Sequence, residues 1–302
     1  MTIRRIAAVD IGTNTLLMTI ADVSTEGTFT YIDDIHSIAR LGQNVDASKI
    51  IQPEARQRAV AILHTYRQRC KELEVDEIRA VGTSCLRDAA NQREVCAEFE
   101  TVLGTPIDIL SGDEEARLCF IGTIENENPT TILDIGGGST EIISGKGNSI
   151  LFRTSLDVGA VRLTERYFQI LPASSEQIQK ATDEIQTHIQ TIDKNQFFSI
   201  TAVAGTPTTL AAVSMGLTSY NSTAIHNYTL SMMNVDSIAR QLLRSTLDEI
   251  ITIPGVHRGR ADILPAGTLI LYEILNYAGQ RKCTVSIKGL RYGILKEMAS
   301  RP

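Results

Sequence analysis

Thr131-Ile132-Leu133-Asp134-Ile135-Gly136-Gly137-Gly138-Ser139-Thr140-Glu141 is the stretch on which the fold turns. A short apolar run of strand character ends in an acid, passes through a glycine turn and re-enters a strand. The same order opens the chain: Ile6-Ala7-Ala8-Val9-Asp10, then Ile11-Gly12-Thr13-Asn14-Thr15, then the apolar run from Leu16 to Ala21. Laying Asp134 on Asp10 also lays Gly136 on Gly12. Each copy continues through a glycine hairpin, at Gly27 in the first and at Gly145 and Gly147 in the second, into a third strand. Those third strands are Phe29 to Ile35 and Ile150 to Ser155. A three-strand unit occurring twice reads as duplicated domains rather than a solenoid.

Helical spacing fills the rest of each half. It predicts helices over Pro53 to Lys71, Asn91 to Leu103, from near Asp113, Val161 to Phe168, Ser175 to Asp193, Thr206 to Met215, Val235 to Ile250, Ala261 to Ala278 and Leu290 to Ala299. A short strand is expected at Ile107 to Leu110. The class is α/β, and a chain of 302 residues suits two domains. The boundaries expected are 1–125 and 126–302, with the last helix able to pack back on the first domain.

Apolar residues make up 43% and charged residues 21%, as in ordinary globular proteins. The net charge of -6 supplies no positive field for a nucleic acid, so an anionic ligand needs local groups. Cys70, Cys85, Cys96, Cys119 and Cys283 are odd in number and form no C-x-x-C pattern. They read as free thiols of a reducing cytoplasm rather than a zinc site. Asp10 interrupts the apolar stretch that a secretory signal would need. The most apolar region, Ile200 to Leu217, is broken by Gly205 and Pro207, so no membrane span is expected.

A strand–glycine turn–strand presents several backbone N–H groups to one phosphate, because glycine allows positive φ and close approach. Gly12-Thr13-Asn14-Thr15 and Gly136-Gly137-Gly138-Ser139-Thr140 both fit this role; each is alternatively a plain hairpin turn. Asp10 and Asp134 end buried strands, where a carboxylate needs a partner. Facing each other across a cleft they would hold a hydrated Mg²⁺; alternatively each caps its own turn. The duplication exposes one anomaly: where the first copy has Leu17, the second has Glu141. Packing gives no reason for that change, so Glu141 orients water or holds metal, unless it faces solvent on the opposite strand face.

In Ser111-Gly112-Asp113-Glu114-Glu115, Asp113 suits an N-cap, and Glu114 and Glu115 suit a first helical turn. In Ala204-Gly205-Thr206-Pro207, Thr206 reads as an N-cap and Pro207 as the first helical residue. The amides of that helix start make a third anion site or only a capped helix.

The ordered series of these pieces resembles the exopolyphosphatase/guanosine pentaphosphate phosphohydrolase family over nearly the whole chain. It comprises Asp10 to Thr15, Arg40-Leu41-Gly42, Thr83 to Ala89, Ser111 to Ala116, Asp134 to Glu141, Gly159 to Glu165, Gly205 to Leu210, Arg260 to Gly267 and Gly289 to Gly293. The resemblance implies two duplicated actin-like ATPase (ribonuclease H-like) domains with the site in an interdomain cleft. It implies Mg²⁺-dependent, or other divalent-cation-dependent, removal of the terminal phosphate of polyphosphate or guanosine pentaphosphate. Glu115 matches the family's catalytic glutamate, and Glu141 and Asp134 match its acidic site residues. Thr13 stands where serine is common, Cys85 where a small residue is usual, and Pro207 removes one amide from the third turn. Longer members carry a helical C-terminal half, so shorter substrates are expected here.

The mechanism expected from this is hydrolysis of a terminal phosphoanhydride. Amides of Gly12 to Asn14 and Gly136 to Ser139 cradle the phosphoryl group, with Thr15, Thr140, Gly205 and Thr206 as further donors. Asp10, Asp134 and Glu141 hold the metal, while Glu115, assisted by Glu141, positions the attacking water. Arg87 is the cation for substrate oxygens; Arg40, Arg93 and Arg291 read as solvated surface charges. A homodimer is compatible with this reading. Its rivals are a kinase of the same fold and a non-catalytic module that binds the alarmone or polyphosphate.

Overall fold

A computed structural model describes residues 3–301. The described chain up to Gly122, together with the residues from Leu290 onward, forms one unit; Thr123–Gly289 forms the other.

The first unit contains β1 (Ile3–Ile11), β2 (Thr15–Ser24), β3 (Phe29–Ile38), α1 (Val45–Ser48), α2 (Pro53–Glu72), β4 (Glu77–Gly82), α3 (Ser84–Asp88), α4 (Gln92–Leu103), β5 (Ile107–Ile109) and α5 (Gly112–Thr123). The sheet order is β3-β2-β1-β4-β5. The first three strands are antiparallel, and β4 and β5 run parallel to β1.

The second unit contains β6 (Thr130–Ile135), β7 (Thr140–Lys146), β8 (Ser149–Leu156), α6 (Ala160–Tyr167), α7 (Ser175–Ile189), β9 (Ser199–Val203), α8 (Gly205–Ser214), α9 (Ser222–Ile225), β10 (Tyr228–Ser231), α10 (Met232–Arg244), α11 (Leu247–Thr252), α12 (Leu264–Tyr277) and β11 (Lys282–Val285). Its order, read from the far edge, is β8-β7-β6-β9-β11-β10. The first five strands repeat the arrangement of the first unit, and β10 adds an antiparallel edge. Both sheets therefore share the order of a duplicated domain, the ribonuclease H-like arrangement that the family resemblance implies.

β1 is continuously apolar because both of its faces are covered. Ala7, Val9 and Ile11 enter a core with α2 and α4. Ile6 and Ala8 enter another core with Leu118 of α5 and the final helix, α13 (Leu290–Ala299). On α2 the buried positions are Ala55, Ala59, Leu63, Tyr66 and Cys70, a one-sided helical stripe. Pro53 begins that helix, and the Tyr66 hydroxyl donates to the Leu16 carbonyl at 2.7 Å. α13 buries Leu290, Ile294, Leu295 and Met298, a gain of about 2 kcal/mol per side chain. A Cβ on Gly293 would lie 1.8 Å from the Leu118 carbonyl oxygen, so glycine lets α13 and α5 approach.

Arg291 departs from its expected role as a solvated charge. It is 6% exposed, and its Nε and Nη2 donate to the two Asp34 carboxylate oxygens, each at 2.9 Å. The return of the last helix over β1 and β2 brings Arg291 within reach of Asp34 on β3.

In the second unit α12 is buried nearly all round, with α6, α7, α8 and α10 beside it. The helix expected over Val235 to Ile250 is two helices. Thr246 interrupts it with a capping box: its Oγ1 accepts from the Glu249 amide at 3.3 Å, and Glu249 Oε2 accepts from the Thr246 amide at 2.8 Å. Cys70, Cys85, Cys96, Cys119 and Cys283 are buried and form no disulfide. Among the described residues no helix is long and apolar enough to cross a membrane.

Candidate active site

The two glycine turns are the same turn in atomic detail. The Gly12 amide donates to the Thr15 carbonyl at 3.2 Å, and the Gly136 amide donates to the Ser139 carbonyl at 3.0 Å. A Cβ on Gly12 or Gly136 would sit 2.8 or 2.9 Å from those same carbonyl oxygens. One expectation is thereby corrected: the amides of Gly12 and Gly136 close the turns and are not offered to a ligand.

Other segments of the same unit hold each turn from behind. The Thr13 carbonyl accepts from the Gly42 amide, and the Asn14 carbonyl from the amides of Ala39 and Arg40. In the second unit the Gly136 carbonyl accepts from Ala160, the Gly137 carbonyl from Val161 and Arg162, and the Gly138 carbonyl from Arg162 Nε at 2.7 Å. A trans peptide points its N–H opposite its C=O. Anchoring these carbonyls therefore turns the amides of Asn14, Thr15, Gly137, Gly138 and Ser139 to the other side, an arrangement able to receive an anion. Glycine at 42 and 159 permits the close backing. A Cβ on Gly42 would lie 2.2 Å from Thr13 Cγ2, and one on Gly159 would lie 2.4 Å from the Gly137 carbonyl oxygen.

The hydroxyls divide by role. Thr13 Oγ1 is paired with Ser84 Oγ at 2.9 Å. Thr140, expected to face phosphate, instead donates to the Val158 carbonyl at 2.6 Å and is fully buried. Asn14 Nδ2 donates to Thr15 Oγ1 at 3.4 Å.

In the second unit Asp134 on β6 is the direct cross-strand partner of Glu141 on β7. Opposed residues of an antiparallel pair share one face of the sheet. Glu141 thus shares a face with Asp134 and is 1% exposed, which rules out a solvent-facing role. In the first unit Asp10, itself 9% exposed, stands opposite Leu17. The sheet face that carries Asp10 is the one covered by α13 and Leu118 of α5.

Glu115 and Glu114 separate at the start of α5. The helix begins at Gly112, and Ser111, not Asp113, caps it. Ser111 Oγ accepts from the Glu114 amide at 3.2 Å, while Glu114 Oε2 accepts from the Ser111 amide at 3.2 Å. Glu114 is thus a capping residue. Glu115 is 8% exposed, and its Oε2 accepts from Arg87 Nη1 at 3.1 Å. The same Arg87 nitrogen donates to the Leu110 carbonyl at 2.8 Å. A macrodipole role requires no buried, arginine-held carboxylate.

The third turn differs from expectation. α8 begins at Gly205, with Ala204 as N-cap, so Thr206 and Pro207 are its second and third residues. Pro207 is tolerated because the first turn has no intrahelical use for its amide. The Thr206 hydroxyl packs toward α12, where a Cβ on Gly267 would lie 2.2 Å from it. Ala204 has φ 77 and ψ -168, a glycine-favoured conformation costing about 1–3 kcal/mol. The Arg260 guanidinium covers this helix start, since a Cβ on Gly205 would lie 1.1 Å from its Nη1. Sequence reading missed Arg260, Arg162, Gly42 and Gly159 as site-building residues. All four fall in the motif series, but their partners are set by tertiary closure.

Among the described residues no group of three or more His, Cys, Asp or Glu side chains gathers to hold a metal alone. Mg²⁺ does not require such a cage, because it keeps several waters and takes one or two carboxylates together with substrate phosphates. The opposed Asp134 and Glu141, both hard oxygen donors on one sheet face, fit that demand.

The model of the Ppx/GppA phosphatase family matches residues 19–301. The chain belongs to this family. It is 30% identical to exopolyphosphatase 2 of Mycobacterium tuberculosis, over 99% of this chain and 100% of that protein. It is 29% identical to the guanosine-5'-triphosphate,3'-diphosphate pyrophosphatase of Photobacterium profundum, over 98% of this chain and 59% of that protein. Among solved structures, the exopolyphosphatase of Cytophaga hutchinsonii superposes with a TM-score of 0.89 at 26% identity, covering 98% of each chain.

Proposed function

We propose that this chain hydrolyses the terminal phosphoanhydride of inorganic polyphosphate and releases orthophosphate. The observation that carries the reading is the buried Glu115 held by Arg87, in a unit that also carries a glycine turn whose Thr13 and Asn14 carbonyls are anchored from behind. The amides of Asn14, Thr15, Gly137, Gly138 and Ser139 bind phosphate oxygens through charge-assisted hydrogen bonds. Glu115 orients the attacking water and accepts its proton, with Arg87 fixing the direction of the carboxylate. Phosphoryl transfer passes through a loose transition state, so positioning and charge stabilisation outweigh base strength. Asp134 and Glu141, opposed on one sheet face, would hold Mg²⁺, which when bound offsets charge on phosphate oxygens. Guanosine pentaphosphate is the second substrate reading, favoured by the similarity to the Photobacterium protein. The proposed setting is the cytoplasm, which suits five cysteines that form no disulfide.

The test is orthophosphate release from short polyphosphate, long polyphosphate and guanosine pentaphosphate, each with Mg²⁺ and with chelator. Metal-dependent release from polyphosphate supports the reading. Tight binding of guanosine pentaphosphate without release from any of the three replaces it with a non-catalytic sensor.

A further inference from the structure

The register of the second sheet aligns three polar residues on one face. Asp134 of β6 stands opposite Glu141 of β7, and Glu141 stands opposite Ser155 of β8. The Ser155 hydroxyl donates to Glu141 Oε1 at 2.7 Å. The equivalent row of the first sheet is Asp10, Leu17 and His36. Where the duplicate replaces leucine by glutamate, it also places a hydroxyl within reach of the new carboxylate. A buried carboxylate on a flexible side chain sweeps several rotamers unless one oxygen is tied. Tying Oε1 fixes the carboxylate plane and hence the direction of Oε2.

We propose that Ser155 is a positioning residue for Glu141, acting through this hydrogen bond; the inference rests on the reading above that Glu141 serves the reaction. Ser155 is half-buried, and neither its spacing nor its type singles it out in the sequence.

The experiment compares wild type, Ser155→Ala, Ser155→Thr, Glu141→Gln and the Ser155→Ala/Glu141→Gln double variant. Steady-state phosphate release and thermal midpoints are measured for each. A hydrogen bond to a charged group corresponds to about tenfold in kcat. Ser155→Ala is therefore expected to lower kcat about tenfold with KM unchanged and the midpoint retained, and Ser155→Thr to restore it. The alanine change adds nothing on the Glu141→Gln background, because coupled residues are non-additive. The Glu141 carboxylate stretch, isolated by infrared difference against Glu141→Gln, shifts in Ser155→Ala. An unshifted band, an unchanged kcat in Ser155→Ala or full additivity overturns the proposal while a crippled Glu141→Gln leaves the reading of Glu141 intact. A fully active Glu141→Gln overturns both.

Discussion

Arg87 Nη1 lies 3.1 Å from Glu115 Oε2 and 2.8 Å from the Leu110 carbonyl oxygen. One guanidinium thus holds the carboxylate and also the backbone that leads into the helix carrying it. Replacing Arg87 by alanine leaves Glu115 buried without this partner. Phosphate release is expected to fall on the order of 10–100-fold. Lysine, a point charge without the planar fork, recovers only part of the loss. Steady-state kinetics on polyphosphate check this, and an Arg87→Ala protein with normal kcat contradicts it.

Gly159 backs the turn of the second unit, and an added methyl would meet the Gly137 carbonyl oxygen at 2.4 Å, with backbone on both sides. Neither side yields as a flexible side chain would. Gly159→Ala is expected to cost about 1–3 kcal/mol of stability and to suppress phosphate release beyond what that loss explains. Denaturant unfolding and activity on the same preparation separate the two effects.

Asp34 joins β3 to the last helix. Desolvation pushes its carboxyl up, but the His36 hydrogen bond and the Arg291 charge more than offset this and hold it well below the usual carboxylate range. A depressed folded pKa contributes stability that is present above about pH 3.9 and is lost as pH falls through the folded value. Asp34→Asn is expected to cost about 1–3 kcal/mol near neutrality, because the buried Arg291 loses its charged acceptor. The gap between variant and wild type should begin to narrow below about pH 4 and go on narrowing as pH falls toward the folded value. Urea midpoints measured from pH 3 to 7 would show a constant gap if the pairing contributed nothing.

Glu273 on α12 is 6% exposed and takes one hydrogen bond, from Gln186 Nε2 at 3.0 Å. Burial raises its pKa against the lowering effect of that bond. The folded state therefore holds the proton longer than the unfolded chain, and stability falls as pH rises from about 4.3 through the folded value. Glu273→Gln keeps the shape and removes the titration, so it is expected to be more stable than wild type at pH 8. A lower thermal midpoint at that pH contradicts the assignment.

The doubled strand–turn–strand pattern was legible because its signals are local. Buried strands must be apolar, and a turn whose first amide reaches the fourth carbonyl demands glycine at positions 12 and 136. The Leu17/Glu141 contrast was legible through the duplication alone, but the face that Glu141 occupies needed the strand register. Cap positions differed from expectation at two helices: Ser111 captured the α5 start from Asp113, and α8 begins at Gly205 behind Ala204, which offers no capping side chain, rather than behind Thr206. Arg291 read as a surface charge and Ser155 gave no signal because their partners, Asp34 and Glu141, meet them only after a helix returns or a third strand pairs. The β10–β11 edge was missed as well, since its two strands have only four residues each.

The most direct measurement is single-turnover and steady-state orthophosphate release from polyphosphate by Glu115→Gln beside wild type, with substrate binding measured on both. Glutamine preserves the shape of the side chain and cannot take a proton from water. Binding within a few-fold of wild type and release lowered on the order of 10²–10⁴-fold is the result predicted. Release at the wild-type rate from the glutamine protein would contradict it.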